Sequence, residues 1–152
     1  MPLLGRKNVD SAIDDLYTKT NDNLRGVYFA GLINIVQETP VDEGRARNNW
    51  FLSVSTPSSA TTTSKAKGLG AIRQLRSMPK RVLNRKIYYT NNLPYVALLE
   101  YGGYPSPVKK GSYDKRKKKY EILSINGFSK QAPNGWVRKT LIEMQNKIRA
   151  LS

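Results

Sequence analysis

Four serines stand three residues ahead of a lysine: Ser64 with Lys67, Ser77 with Lys80, Ser106 with Lys109, and Ser112 with Lys115. This is the spacing of a lysine-activated serine nucleophile, but the companion motifs of that chemistry are missing. In a chain this rich in Ser and Lys, the spacing arises by chance. Adjacent carboxylates occur at Asp14-Asp15 and Asp42-Glu43. Neighbours on a helix do not face each other, so the first pair reads as surface charge. The second lies in a turn and needs ligands from elsewhere to hold a metal. Gly68-Leu69-Gly70 is a lone Gly-x-Gly, without the rest of a phosphate loop. The chain holds no His and no Cys. Hydrolases built on Ser-His or Cys-His are thereby excluded, as are disulfides and Cys-based zinc sites. No set of residues fills the nucleophile, base and oxyanion roles together, so neither an enzyme nor a cofactor is expected.

What the residue types do supply is positive charge. The 152 residues include 26 Lys+Arg and 11 Asp+Glu, a formal net charge of +15. Residues 1–43 carry four basic and seven acidic residues, a balance of −3, and residues 44–152 carry a balance of +18. One block holds Lys65, Lys67, Arg73, Arg76, Lys80, Arg81, Arg85 and Lys86 with no acid among them. The other holds Lys109, Lys110, Lys115, Arg116, Lys117, Lys118 and Lys119 around Asp114. Charge this dense stays solvated unless a polyanion neutralises it, and nucleic acid does so through its phosphates. The plainer alternative is a protein with solvated basic loops. Neither block is interleaved with an apolar helical face, so no membrane surface is expected as a partner. No run of 18 apolar residues exists, and the stretch after Met1 is too short in apolar residues for a signal peptide.

One domain of 1–152 is expected, with 65–86 and 103–127 as basic exposed excursions. Residues 8–38 read as a long amphipathic helix, with Ile13, Leu16, Thr20, Leu24, Val27, Gly31 and Ile35 at three- and four-residue steps. Asp10 or Ser11 is its candidate N-cap. Its second half should be the more buried, and Thr39-Pro40 should end it. A turn at 41–44 leads to a strand over 49–55, then a small polar loop over 56–64. A helix is expected over 66–78, a strand over 85–90, and a short helix over 95–101 closed by Gly102. Residues 102–119 read as an exposed hairpin-like stretch with 120–125 as its return strand. A closing helix spans 134–150, with Val137, Leu141, Met144, Ile148 and Leu151 in step. The fold class is α+β: a long N-terminal helix and a C-terminal helix on a small, mostly antiparallel sheet. Trp50, Tyr88, Tyr89 and Tyr95 sit in apolar runs and read as core. Tyr101, Tyr104, Tyr113 and Tyr120 suit contact with a neighbouring subunit better than base stacking.

Three segments carry a resemblance. They are Thr39-Pro40-Val41-Asp42-Glu43-Gly44-Arg45-Ala46-Arg47-Asn48-Asn49-Trp50, then Ile87-Tyr88-Tyr89-Thr90-Asn91-Asn92-Leu93-Pro94-Tyr95 with Leu99-Glu100-Tyr101-Gly102, then Ser129-Lys130-Gln131-Ala132-Pro133-Asn134-Gly135-Trp136-Val137-Arg138. In this order the chain resembles the tail-completion (neck or minor tail) proteins of tailed bacteriophages. In that family a TPVDTG turn follows a long helix, a TNNLPY segment comes next, and a QAP-G segment opens the last helix. Glu43 stands where Thr is more usual, and Trp136 where Met is. Residues 103–127 are longer and more basic than the family pattern.

The resemblance implies a non-enzymatic virion protein that assembles as a hexameric ring at the head-proximal end of the tail. Its partners would be itself, the neighbouring neck, connector and tail proteins, and the double-stranded DNA passing through. It would occupy the host cytoplasm during assembly. The alternative is a stand-alone, sequence-nonspecific nucleic-acid-binding protein. Lys65, Lys67, Arg73, Arg76, Lys109, Lys110, Lys115, Arg116, Lys117, Lys118 and Lys119 are the candidate contacts to DNA in a channel or to an acidic partner. Pro40, Asp42, Gly44, Arg47, Trp50, Asn92, Pro94, Tyr95, Glu100, Gly102, Pro133 and Gly135 read as anchors of the fold. Asp42 is expected to pair with Arg45 or Arg47, and Glu100 with the remaining arginine.

Overall fold

The computed structural model describes residues 4–151. Leu4–Glu38 form one helix, α1. It begins before residue 8 and runs through Asp10 and Ser11, so neither caps it. No Gly or Pro stands between residues 6 and 25, and a nucleated helix propagates until something stops it. Leu32, Ile35 and Val36 are buried, whereas Val9, Ile13 and Leu16 are exposed, so the second half is the buried one.

After Pro40 the chain turns through Gly44, whose φ of +87° suits glycine. A single helical turn, α2 (Arg45–Asn48), follows the turn, over residues for which no element was expected. Strand β1 (Phe51–Val54) pairs antiparallel with β2 (Ile87–Thr90), Phe51 opposite Thr90 and Val54 opposite Ile87. Between them lie α3 (Leu69–Gln74) and a 3₁₀ turn (Leu75–Ser77), which stop short of Pro79.

Segment 65–86 is not an exposed excursion. Ala71, Leu75, Met78 and Val82 recur at helical steps and are among the most buried side chains. The cations between them point outward, and of the apolar residues in the helix expected over 66–78, Leu75 is buried whereas Leu69 is exposed. The polar loop over 56–64 is also tied down. Asn49 Nδ2 donates to the Thr62 carbonyl (2.9 Å) and its Oδ1 accepts from Thr62 N–H (2.8 Å), while Asn92 Nδ2 donates to the carbonyls of Ser58 and Ala60 (both 2.9 Å). Asn49→Ala is expected to cost about 1–3 kcal/mol, the range for stranding buried polar groups. Faster proteolysis within 56–64 checks it, because the loop then opens locally.

Helix α4 (Val96–Tyr101) ends at Gly102, φ +81°. Most residues of 103–127 are exposed, although Ser124 is buried. This excursion contains the hairpin of β3 (Ser112–Asp114) and β4 (Lys119–Glu121). A second hairpin joins β5 (Ser124–Ile125) to β6 (Phe128–Ser129) through Asn126-Gly127, both at positive φ. Asn-Gly is the signature of a type I′ turn, and it limits the return strand expected over 120–125 to short pieces.

Helix α5 (Val137–Arg149) starts three residues later than expected, because Gly135 sits at φ +73°. It packs antiparallel on the second half of α1. Asn34 Nδ2 donates to Thr140 Oγ1 at 2.9 Å, and Gly31 leaves room for the Met144 side chain.

The fold is α+β, with long first and last helices. The sheet, however, is three separate two-stranded ladders, not one. Each strand is two to four residues long, and positive-φ residues such as Ser55 and Asn126 directly follow β1 and β5. No helix among the described residues is long and apolar enough to cross a membrane.

Candidate nucleic-acid and partner-docking surface

The last turn of α1 must satisfy carbonyls that have no partner within the helix. The Ile35 carbonyl accepts from Thr39 Oγ1 (2.6 Å) and from the Trp136 indole N–H (3.0 Å). The Thr39 carbonyl accepts from Arg47 Nε (3.2 Å) and Nη2 (2.9 Å). Trp50 Nε1 donates to Thr39 Oγ1 at 2.9 Å, and its ring stacks on Tyr89 at 5.3 Å. Burial pushes the Tyr89 hydroxyl pKa up.

The first turn of α5 poses the opposite problem, unpaired N–H donors, and Glu100 solves it. Its carboxylate accepts from the backbone N–H of Trp136 (2.8 Å), Val137 (2.9 Å) and Arg138 (3.1 Å), and from Arg138 Nε (2.9 Å). Burial pushes the Glu100 pKa up, but these donors outweigh it and hold it below the usual carboxylate value.

The expected Arg47–Glu100 pair is therefore not formed. Each group is taken by a closer need, Arg47 by the end of α1 and Glu100 by the start of α5. Asp42 makes no ion pair among the described residues. Arg45 donates to the Thr62 carbonyl at 3.3 Å. It is Glu43 that finds a cation, Lys65. Of the other anchors, Pro40 and Gly135 are buried, Tyr95 is half-buried, and Pro94 and Pro133 stand at the surface.

The three anchor segments meet. Asn91 Nδ2 donates to the Ala46 carbonyl (2.8 Å), joining the first segment to the second. Glu100 joins the second to the third. Gln131 and Val41 join the third to the first, the side-chain amide donating to and accepting from the Val41 backbone at 2.7 Å each way.

The basic blocks behave differently from each other. Lys67 and Arg116, one from each block, line a single depression of about 440 Å³ with Val41, Asp42, Glu43 and Arg47. Lys65 sits beside it through Glu43. Arg73 and Arg76 project from α3 and the 3₁₀ turn, outside that depression.

The hairpin block is stitched as well as charged. Asp114 Oδ1 accepts from the N–H of Arg116 (2.8 Å) and Lys117 (3.1 Å), folding the tip, and those bonds hold its pKa down. Lys117 pairs with Glu121 at 2.8 Å, and Lys119 reaches the same carboxylate at 3.7 Å. The pairing lowers the Glu121 pKa and raises that of Lys117. Lys110 lies over the Tyr120 ring at 5.2 Å, and Tyr120 meets Tyr113 edge-on. Lys109, Lys115 and Lys118 stand exposed. Glu121 was not among the residues expected at this surface, yet it holds two of its cations. Its place two residues past the lysine run was the signal available in the sequence.

This arrangement can hold phosphates without reading bases. The Ser-x-x-Lys pairs build nothing comparable: Ser77 Oγ donates to the Gln74 carbonyl at 2.6 Å. No group of three or more Asp and Glu that could hold a metal occurs among the described residues.

What fold and surface define is a small α+β protein with a polar, locked joint between its terminal helices and a basic face beside it. No family model, curated protein or solved structure matches the chain.

Proposed function

We propose that the chain is a structural virion protein of the phage neck, a ring-forming tail-completion or head-tail joining subunit around the DNA path. The observation that carries this reading is the closed triangle of hydrogen bonds among the three resembling segments. Chance matches scattered over 39–138 have no reason to touch, whereas here each segment bonds to the other two. A large set of exposed apolar side chains, including Tyr101, Ile125, Phe128 and Ile142, adds support, because such residues are covered when a subunit assembles. Electron microscopy of the purified protein, alone and mixed with tails, tests the reading. Rings, or added density at the head-proximal end of the tail, are expected. A strictly monomeric protein that adds to neither tails nor connectors sinks it.

The second reading, a stand-alone nonspecific nucleic-acid binder, is favoured by the shared depression of Lys67 and Arg116. Both readings place phosphates there. On the neck reading the contact must be weak, since tight binding would impede DNA passage, and some lysines face an acidic partner ring. Lys67→Gln and Arg116→Gln should each reduce the slope of log K against log salt by about 0.9 on duplex DNA. Arg73→Gln, outside the depression, should leave the slope unchanged. Fluorescence anisotropy over a salt series checks this. Equal effects from all three variants would mean diffuse attraction and no site.

A further inference from the structure

The face of α1 that packs on α5 continues past the end of α5. At about 100° per residue, Val27, Gly31 and Asn34 lie on one line of the helix. Gly31 and Asn34 meet Met144 and Thr140. The same line runs back through Thr20, Leu16, Ile13 and Val9. Helix α5 has 13 residues against 35 in α1, so this part has no cover. Leu16, Ile13 and Val9 are 65, 58 and 57% exposed. Tyr17, which accepts from Arg81 Nε at 3.0 Å, marks where the helix joins the body. The arm ahead of it is about 20 Å long at 1.5 Å per residue, and an uncovered helix of that length is marginal in water.

Between residues 8 and 18 there are three acids and no base. Asp10 and Asp14 flank the apolar line on one side and Asp15 on the other. Two such arms side by side would repel. The rest of the chain carries the opposite charge. A cavity of about 700 Å³ lies between the 40–46 turn and the start of the excursion. Leu99, Tyr104 and Val108 wall it, and Arg45, Lys109 and Lys110 also line it. Asp42 and Glu43 are there too, Glu43 already holding Lys65.

We propose that the acidic, apolar arm of α1 docks into this groove of a second copy of the chain. Val9, Ile13 and Leu16 then cover the Tyr104–Val108 wall, with Asp10 and Asp14 beside Lys109 and Lys110. Val9, Ile13 and Leu16 stay exposed in their own chain and no residue of α1 lines this groove, so the groove the arm fills belongs to another copy. Such a contact joins two different patches and so propagates head to tail, closing into a ring where the rotation allows. The inference rests on the ring reading above and names its contact.

The chain has no Cys, so introduced cysteines are the only thiols. Ile13→Cys protein mixed with Val108→Cys protein should form a disulfide-linked heterodimer on oxidation. Leu16→Asp, at an exposed position, should weaken self-association roughly thirty- to a hundredfold in sedimentation, with circular dichroism unchanged. Cross-linking of Ile13→Cys to itself, or to Ile142→Cys in preference to Val108→Cys, overturns the groove contact. Rings that Leu16→Asp does not weaken overturn it too, and in both cases the ring reading stands. A chain that neither self-associates nor adds to tails removes both.

Discussion

Glu100→Ala lowers the unfolding free energy by about 3–5 kcal/mol, the range for removing one partner from a buried charged network. The carboxylate is only 5% exposed and meets three backbone N–H groups and one guanidinium. Alanine leaves those donors without an acceptor at the start of α5, the end at which that helix docks onto α1. Glu100→Gln keeps the shape but loses the charge and one acceptor oxygen, so about 2–3 kcal/mol is expected. The pH dependence carries the sign. The folded pKa lies below the unfolded value of about 4.3. The stabilisation is therefore complete above that unfolded value and is lost as pH falls through the folded one. The gap between wild type and Glu100→Gln, measured by urea unfolding, should be constant at neutral pH and shrink below about pH 4. The other carboxylates with lowered pKa values, Glu43, Asp114 and Glu121, are common to both proteins and cancel in the difference. A gap that widens in acid would contradict this account.

Trp50→Ala should cost about 3–5 kcal/mol, the range for truncating a buried aromatic. The indole is buried, stacks on Tyr89, and donates to Thr39 Oγ1, which itself donates to the Ile35 carbonyl. One truncation removes apolar contact and the outer link of a chain that ends α1. Trp50→Phe keeps most of the contact and gives up the N–H, so about 1–2 kcal/mol is expected. Chemical unfolding followed by Trp136 fluorescence measures both, because Trp136 reports on the same carbonyl from the other side. Equal losses for Ala and Phe would mean that the hydrogen bond, and not the packing, dominates.

These two residues mark how far the sequence could be read. Pro40, Gly44, Trp50, Glu100 and Gly102 were legible as anchors because their types imply turns, burial or pairing, and Gly135 only through the resemblance. Their partners were not. Opposite charge suggested Arg47 for Glu100, yet charge alone does not see the bare amides at the start of α5. Those amides exist as a site only once Gly135 has turned the chain and α4 has brought Glu100 beside them. Segment 65–86 shows the same limit. Its cations were obvious and a helix was expected over 66–78, but burial falls on Ala71, Leu75, Met78 and Val82 and not on Leu69.

By itself the sequence determined the α+β class, the long first helix, the amphipathic last one, the uneven charge and the absence of His and Cys. These follow from local steps of three and four residues, from stop signals such as Thr39-Pro40, and from composition, none of which needs a distant partner. Only the tertiary structure decided what meets what. It divided the sheet into three ladders, sank a basic segment into the core and joined the three anchor segments at one point. It also ended α5 short of α1, leaving the acidic arm bare. Each of these depends on contacts across tens of residues, where one sequence allows many pairings and only packing with full hydrogen bonding selects among them.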